Sequence, residues 1–290
     1  MRLTVNPDLC TLCGACLLTC PADMVREKEG RIKIGRVMCI QCGHCVALCP
    51  EGAISVEEDT TGTVTFTDES DSPLPTPEAL RALIVGRRTI RQYHPQPVPR
   101  ELLEQMLNAA RWAPTAANCQ CQAFTVIADP ARRGALAERV TGFYRLYAEA
   151  LADRKHTAER LAVLGLDPVF GMHPHMQAAV PAFVKHVDTG RDHLFFGAPA
   201  VIIVHADAGE VLPESACAFA ALILALMAES LGLGTCLTAY ASEALRALPD
   251  LRAELGLPES HQVHYVLTVG FPAEDFRLIP PRKLAQVRWL

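Results

Sequence analysis

The feature that most constrains this chain is a pair of cysteine-rich runs within its first 50 residues. The first run reads Cys-x-x-Cys-x-x-Cys-x-x-x-Cys-Pro from Cys10, and the same order begins again at Cys39. Each cysteine of the second run lies 29 residues after its counterpart, and Gly14 returns as Gly43. We therefore predict an internal duplication. Three closely spaced thiolates can wrap one face of an iron–sulfur cluster, and the proline ends the turn.

Zinc ribbons and disulfides are the alternatives for cysteines in this number. Zinc sites usually use paired cysteines with a longer gap, which differs from two compact quartets. Residues 1–58 resemble bacterial two-cluster ferredoxins, in which the fourth cysteine of each run serves the other cluster. The resemblance implies two [4Fe–4S] clusters, one bound by Cys10, Cys13, Cys16 and Cys49 and the other by Cys39, Cys42, Cys45 and Cys20.

Composition limits the class of protein. The chain has 290 residues, half of them hydrophobic, so one or two globular domains are expected. A net charge of −5 argues against nucleic acid as the main partner. Cluster thiolates must stay reduced, and no apolar signal sequence precedes Cys10. We therefore expect a cytoplasmic protein.

The longest apolar run, residues 216–228, lies between Glu214 and Glu229. It is too short to span a bilayer and predicts a buried helix, so no membrane partner is expected.

A change of composition between Glu57 and Pro77 predicts a domain boundary. Acidic and hydroxyl side chains dominate there, and prolines recur at every second position from Pro73. Such a segment is typical of a semi-rigid linker, with at most a short strand around Val64 and Phe66. We predict a first domain at residues 1–58, a linker at 59–77 and a second domain at 78–290.

The second domain has the irregular order of helices and strands that indicates the α+β class. Thr76 and Pro77 have the residue types of a helix N-cap and first turn. Hydrophobic periodicity predicts further helices at 100–111, 131–165, 214–231 and 243–255, and strands at 124–127, 201–204 and 263–269. Residues 166–195 look less regular. They contain four histidines, which we interpret as surface or lid residues rather than a metal site.

Four separated segments of the second domain carry the chemistry. They are residues 87–91, residues 114–120, residues 231–236, and the stretch that leads from Gly270-Phe271-Pro272 to the Arg282-Lys283 tail. In this order they resemble the nitroreductase family of FMN-dependent oxidoreductases over residues 78–290. The resemblance implies that a small two-cluster ferredoxin-like domain is followed by a three-layer α/β/α flavin domain.

Clustered cations suit the FMN phosphate, which is close to dianionic. The Arg87–Arg91 run and the Arg282-Lys283 tail supply such charge, although an arginine run can also be a solvated helix end. Asn118 offers both an amide donor and an acceptor to a flavin ring, although a loop asparagine can be a simple turn residue.

The resemblance also implies roles for individual residues. It places Arg87, Arg88 and Thr89 on the phosphate and ribityl chain, Arg91 at the N1/O2 edge, Asn118 and Gln120 along the ring, the backbone of Ala239 and Tyr240 near N5 and O4, and Arg282 with Lys283 on the phosphate. It further implies a homodimer with FMN at the subunit interface.

Two positions depart from the family pattern. Cys121 and Gln122 stand where a proline and an aromatic residue are common, and Ala239 stands where an acidic residue or glycine is common. Cys119 and Cys121 would point to opposite faces of a strand, so we expect separate thiols rather than a disulfide.

These features predict an iron–sulfur flavoenzyme. Electrons from reduced ferredoxin or a similar carrier would reach FMN through the clusters, and FMN would reduce a nitroaromatic, a quinone or an activated double bond. The alternative donor is NAD(P)H, which would reduce FMN directly. No side chain is identified as an obligatory acid or base. The alternatives are an electron-transfer partner protein with no substrate of its own and a second domain that only docks the first.

Overall fold

The computed structural model describes residues 2–57 and 74–290. The chain divides into two compact units. The first extends from Met1 to Pro75 and also contains Thr115–Cys119, and the second contains Thr76–Pro114 and Gln120–Leu290. Most of the predicted linker, including Val64 and Phe66, lies outside the described residues.

The first unit contains two short helices and two strand pairs. Its elements are β1 Arg2–Val5, α1 Ala15–Thr19, β2 Val25–Lys28, β3 Arg31–Ile34, α2 His44–Ala47 and β4 Ile54–Glu57. β1 pairs with β4 and β2 pairs with β3, both antiparallel. The buried core is small and consists of Cys16, Val25, Ile32, Cys45 and Ile54.

The structure of the first unit repeats with the same offset as its cysteines. Gly14 and Gly43 have φ values of 78° and 75° and precede α1 and α2. The left-handed region is open to glycine without steric cost, which explains why this residue recurs. Leu12 and Gln41, also one repeat apart, share left-handed φ values of 56° and 53°. The sequence repeat is therefore also a repeat of backbone conformation.

The second unit consists of a four-stranded antiparallel sheet with helices on both faces. Its elements are α3 Pro77–Gly86, α4 Arg100–Ala110, β5 Ala123–Ile127, α5 Pro130–Ala152, α6 Thr157–Val163, α7 Pro168–Gly171, α8 Pro174–Asp188, β6 Ala200–Asp207, α9 Pro213–Ser230, β7 Gly234–Leu237, α10 Ala239–Ala247, α11 Pro249–Glu254 and β8 His261–Gly270. The strand order is β5-β6-β8-β7.

The buried strand β6 shows how the three layers form. Successive side chains of a strand point to opposite faces. Val201 and Ile203 therefore pack into one hydrophobic core with α5, α8 and α10, while Ile202 and Val204 pack into a second core with α4 and α9. The predicted three-layer α/β/α arrangement is confirmed.

Helix α9 includes the longest apolar run of the sequence. Seven of its eighteen residues are buried, among them Cys217 and Leu224, and it packs against α4 and the sheet. Phe219 and Leu222 remain exposed. By length and by its mean hydropathy of 1.3, α9 could cross a membrane. The buried core helices of soluble proteins meet the same two criteria.

Two predicted helices are divided in the structure. The helix predicted over 131–165 is α5 followed by α6, with a break after Ala152. The helix predicted over 243–255 begins earlier, at Ala239, and is interrupted before Pro249. Proline has no backbone N–H to continue the helical hydrogen bonds, and it therefore starts α11 instead.

Two elements escaped the sequence patterns. Residues 166–195, which looked less regular, contain α8. Pro174 occupies its first turn, and the Nδ1 atom of His173 accepts the His175 backbone N–H at 3.2 Å. The segment 231–236 was assigned no strand, but it contains most of β7, which pairs with β8 along its full length. The start of α3 was predicted correctly, since the Thr76 hydroxyl accepts the Ala79 N–H at 3.2 Å.

Candidate functional sites

Two cavities of the first unit are lined by four cysteines each. Cys10, Cys13, Cys16 and Cys49 line the first, and Cys20, Cys39, Cys42 and Cys45 line the second. Each cavity therefore takes three thiols from one run and the fourth from the other. This is the crossed grouping that the ferredoxin resemblance implied.

The donor set of these cavities fits an iron–sulfur cluster. In residues 2–57 and 74–290, no three histidine, cysteine or acidic side chains lie close enough together to hold a single metal ion. A cuboidal cluster places each thiolate on a different iron, which sets the thiolates farther apart than around one ion. Four cysteines around each cavity meet that requirement.

The fourth cysteine of each run accepts an equivalent backbone hydrogen bond. The Met24 N–H donates to Cys20 Sγ, and the Ala53 N–H donates to Cys49 Sγ, both at 3.2 Å. Burial opposes ionisation of Cys20, but neighbouring N–H groups outweigh it, and the pKa of this thiol lies below its usual value. Burial raises the pKa of Cys16 and Cys45. Hydrogen bonds to sulfur also influence the potential of a bound cluster.

In the second unit, the arginine run lies beside β7. Helix α3 ends at Gly86, and the next residues pass along the strand, with Thr89 bridged in parallel to Thr235. The Ile90 N–H donates to the Thr235 carbonyl at 3.0 Å. The tertiary structure thus brings together two of the four predicted segments, which are about 145 residues apart in the chain.

The close approach requires a glycine in β7. A Cβ atom on Gly234 would lie 2.3 Å from Ile90 Cγ1 and 2.8 Å from Ile90 Cβ. Neither contact can be accommodated without moving the backbone of one partner. Gly234 therefore sets the spacing between the arginine run and the strand.

A third predicted segment, Gly270-Phe271-Pro272, contacts the chain just after the arginine run, at Tyr93 and His94. The arginine run, β7 and this segment together form a junction. Tyr93 is bridged to Pro272, and the His94 N–H donates to the Phe271 carbonyl at 2.9 Å. The Tyr93 hydroxyl donates to the Ile90 carbonyl at 2.9 Å and lies 2.7 Å from Thr268 Oγ1. Burial raises the pKa of Tyr93, so the hydroxyl keeps its proton.

Arg88 and Arg91 have cationic groups available at this junction. Arg88 Nη1 donates to the Arg87 carbonyl at 2.6 Å, whereas the buried Arg88 Nε has no hydrogen-bond partner among the described residues. A buried donor without a partner is unfavourable, so this atom fits an anionic ligand. The Arg91 guanidinium lies 6.0 Å from the Phe196 ring centroid, and the backbone N–H of Arg91 donates to Glu274 Oε2 at 3.1 Å.

Helix α10 begins directly after β7. Its N-cap residue, Thr238, donates its N–H to the Val266 carbonyl at 2.8 Å, and its side chain makes no capping hydrogen bond. Ala239 is exposed at the first position of the helix. The N–H groups of a first turn have no partners within their helix and carry partial positive charge. The beginning of α10 can therefore face the electron-rich edge of a ligand.

Asn118, Arg282 and Lys283, which were also predicted to bind the flavin, make no hydrogen bond or ion pair with this junction in the described parts of the chain. Asn118 belongs to the first unit, where its Nδ2 donates to the carbonyls of Gln41 at 2.8 Å and Ile40 at 3.3 Å. Arg282 and Lys283 are exposed. The roles of these residues and of Gln120 toward a flavin stay predictions.

The strand argument about Cys119 and Cys121 does not apply, because β5 begins only at Ala123. Both thiols are unbridged.

One half-buried acidic residue was missed by the sequence analysis. Glu243 lies one turn into α10, and its Oε2 accepts the Tyr144 hydroxyl of α5 at 2.5 Å. Its Oε1 is buried without a hydrogen-bond partner among the described residues. Burial raises the pKa of Glu243, and the Tyr144 hydrogen bond offsets this only in part. No local sequence signal connects two residues that are 99 positions apart.

Comparison with known proteins identifies both parts of the chain. Residues 84–271 match the nitroreductase family, and residues 2–50 match the 4Fe-4S dicluster domain. The chain belongs to the nitroreductase family. A curated relative of this family member is the NADH dehydrogenase of Thermus thermophilus, which is 28% identical over 215 residues, covering 71% of this chain and 92% of the relative.

Solved structures show the nitroreductase fold. The FMN-bound nitroreductase of Bacteroides fragilis is 24% identical with a TM-score of 0.53, over 73% of this chain and 97% of that one. The FMN-bound nitroreductase of Desulfitobacterium hafniense is 21% identical with a TM-score of 0.52, over 72% and 97% of the two chains. The four-stranded sheet between two helical layers is therefore the family fold.

Proposed function

We propose that this nitroreductase-family protein is an iron–sulfur flavoenzyme. Two [4Fe–4S] clusters would pass electrons to FMN for the reduction of a small organic acceptor such as a nitroaromatic, a quinone or an activated double bond. The observation that carries the proposal is the presence, in one chain, of two four-cysteine cavities and a nitroreductase-family unit whose buried Arg88 Nε has no hydrogen-bond partner in residues 2–57 and 74–290.

The cofactors supply the electron chemistry, because clusters transfer single electrons and a flavin can collect two of them. The residues of the second unit supply binding and orientation. Arg87 and Arg88 would bind the FMN phosphate, with Arg88 Nε gaining the partner that it lacks. Arg91 and the first turn of α10 would stabilise negative charge along the polar edge of the ring.

The electron donor belongs to the same proposal. The curated relative is called an NADH dehydrogenase, which favours a reduced nicotinamide, whereas the cysteine cavities favour a one-electron carrier such as reduced ferredoxin. Anaerobic mixing separates these donors. Rapid bleaching of the flavin by NADH or NADPH alone would establish direct reduction, and bleaching only with reduced ferredoxin would assign entry to the clusters.

We also propose a cytoplasmic homodimer. The exposed Phe219 and Leu222 of α9 and the exposed apolar side chains of the tail, including Leu284 and Trp289, support burial against a second copy. Sedimentation equilibrium of the full chain measures the oligomeric state directly.

The decisive test is an anaerobic reductive titration with iron and FMN counted per chain. We expect about eight irons and one FMN, with the flavin reduced through the clusters. Arg88→Ala should lose FMN and keep its iron, while Arg132→Ala, an exposed arginine on α5, should keep both. A chain with full iron and no FMN would contradict the flavoenzyme proposal. A fully loaded chain that reduces no acceptor would favour an electron-transfer partner protein.

A further inference from the structure

Glu243 is placed where its charge would act on a flavin at the beginning of α10. Ala239, at the first position of the helix, and Glu243 are four residues apart and therefore lie on the same face. Four residues correspond to about 6 Å along a helix axis. Water screens a partly buried carboxylate poorly, so the interaction between Glu243 and a charge at the beginning of α10 is strong.

The surroundings of Glu243 provide two alternative hydrogen-bond arrangements. Tyr144 is fully buried, and its hydroxyl lies 2.5 Å from Glu243 Oε2 and 3.2 Å from the Tyr240 carbonyl. A tyrosine hydroxyl has one hydrogen, so it donates to one of these acceptors at a time. When Glu243 is ionised, its carboxylate is the stronger acceptor. When Glu243 is protonated, its own O–H can donate to Tyr144, which frees the tyrosine hydrogen for the Tyr240 carbonyl.

Aromatic packing connects this pair to the first turn of α10. The Tyr240 ring stacks on Phe183 of α8 with centroids 4.4 Å apart and meets the edge of Tyr144 at 5.0 Å. The titratable or charged groups that act on Glu243 are Tyr144 and Tyr147 of α5 and Tyr240 and Arg246 of α10. Three of these four are tyrosines, and burial raises the pKa of each of them. Arg246 is therefore the one cation of this set. The three tyrosines stay protonated, so Glu243 is the group whose charge can change.

We propose that Glu243 is a positioning residue that stores a proton for the flavin site, through its hydrogen bond with Tyr144 beneath the first turn of α10. The proposal rests on the proposed binding of FMN at that turn. A flavin ring that had gained two electrons and one proton would carry negative charge there, which would disfavour a nearby carboxylate. Glu243 then takes a second proton from solvent, so that two protons enter for two electrons. On reoxidation by the acceptor, both protons leave the site.

Proton uptake during flavin reduction tests the proposal. The full-length protein, with its iron and FMN counted, is reduced anaerobically by dithionite in weakly buffered solution with a pH indicator. We expect uptake in the wild-type protein to exceed that of Glu243→Gln by up to about one proton per FMN, measured across a series of pH values. The pH dependence of the flavin midpoint potential should be correspondingly steeper in the wild-type protein.

Two further variants sharpen the test. Tyr144→Phe removes the hydrogen bond that lowers the pKa of Glu243, so the additional uptake should move to higher pH. Glu259→Gln is the control, because it makes the same chemical change elsewhere. Glu259 lies just before the first residue of β8, at the other end of the strand from Gly270, so the uptake should stay unchanged. Equal uptake in wild type and Glu243→Gln, with FMN bound to both, would overturn the proposal.

Counting bound FMN and measuring acceptor reduction in the same samples separates this inference from the proposed function. A protein that contains no FMN contradicts both. A protein that binds FMN and reduces an acceptor, but shows no dependence of proton uptake on Glu243, keeps the function and overturns the proton store.

Discussion

At the scale of single residues, the second unit depends on side chains whose size or charge is fixed by a neighbour distant in sequence. Gly234 has room only for hydrogen beside Ile90, and half-buried Glu243 accepts a hydrogen bond from Tyr144. Neither constraint is visible in the residue's own segment. Each can be tested with a substitution that changes one property.

Gly234→Ala should weaken both stability and FMN retention. The added methyl group must displace Ile90 and the arginine run next to it, and overpacking of this kind typically costs about 1–3 kcal/mol. Urea denaturation and the FMN content after gel filtration measure the two effects. Gly134→Ala in α5 is the control, because its Cβ would meet no atom within 4 Å. It should raise stability by about 1 kcal/mol. Equal behaviour of the two variants would contradict the proposed packing constraint.

Glu243→Gln should change how stability depends on pH. Burial raises the pKa of Glu243 in the folded protein above its ordinary value of 4.5, so the protonated form favours folding. That contribution is complete below the unfolded pKa and is lost as the pH rises through the folded pKa. Glutamine does not titrate, so the variant should gain stability relative to wild type as the pH rises above 4.5. Urea midpoints across the pH range measure this gain, and Glu259→Gln should show none.

At the scale of elements, the first unit is built from two equivalent segments that share their ligands. Each contributes a helix preceded by a left-handed glycine, and each sends its fourth cysteine to the other cavity. A substitution in one segment is therefore expected to empty the cavity of the other.

Paired cysteine variants test the crossed arrangement. Cys20→Ser should lose about half of the iron, since Cys20 lines the cavity of Cys39, Cys42 and Cys45. Adding Cys42→Ser should cause no further loss, whereas adding Cys13→Ser should remove nearly all the iron. Iron per chain is the measurement, with Cys121→Ser as the thiol control outside both cavities. The reverse order of the two double variants would refute the crossed arrangement.

At the scale of the whole molecule, the two units differ in what stabilises them. The first has a core of five buried residues, whereas the second has two large cores on either side of a sheet. A domain with so small an apolar core generally needs metal or covalent links to fold.

Removal of iron should therefore unfold the first unit selectively. Anaerobic chelation is expected to abolish amide protection in residues 2–57 and to leave the thermal transition of the second unit in place. Because Thr115–Cys119 belongs to the first unit, the amides of Asn118 and Cys119 should lose protection together with it. Hydrogen exchange before and after chelation provides the measurement. Persistent protection of the first unit without iron would show that its apolar core suffices.

Much of the architecture was predictable because it depends on local or repeating patterns. The spacing of the cysteines predicted two equivalent cavities, and hydrophobic periodicity predicted the main helices and the central strands. Short elements were harder. Residues 166–195 looked irregular although they contain α8, and the four-residue β7 became recognisable only through its pairing with β8.

The sequence by itself determined the duplication of the cysteine run and the four segments that resemble the nitroreductase family, and the ferredoxin resemblance added the crossed grouping of the eight cysteines. These depend on residue type and spacing along the chain. Only the tertiary structure decided which groups meet: Ile90 against Gly234, Glu243 against Tyr144, and Arg88 Nε buried without a partner among the described residues. The physical reason is that burial and unmet hydrogen-bond capacity arise from contacts between segments more than 90 residues apart, which no local pattern encodes.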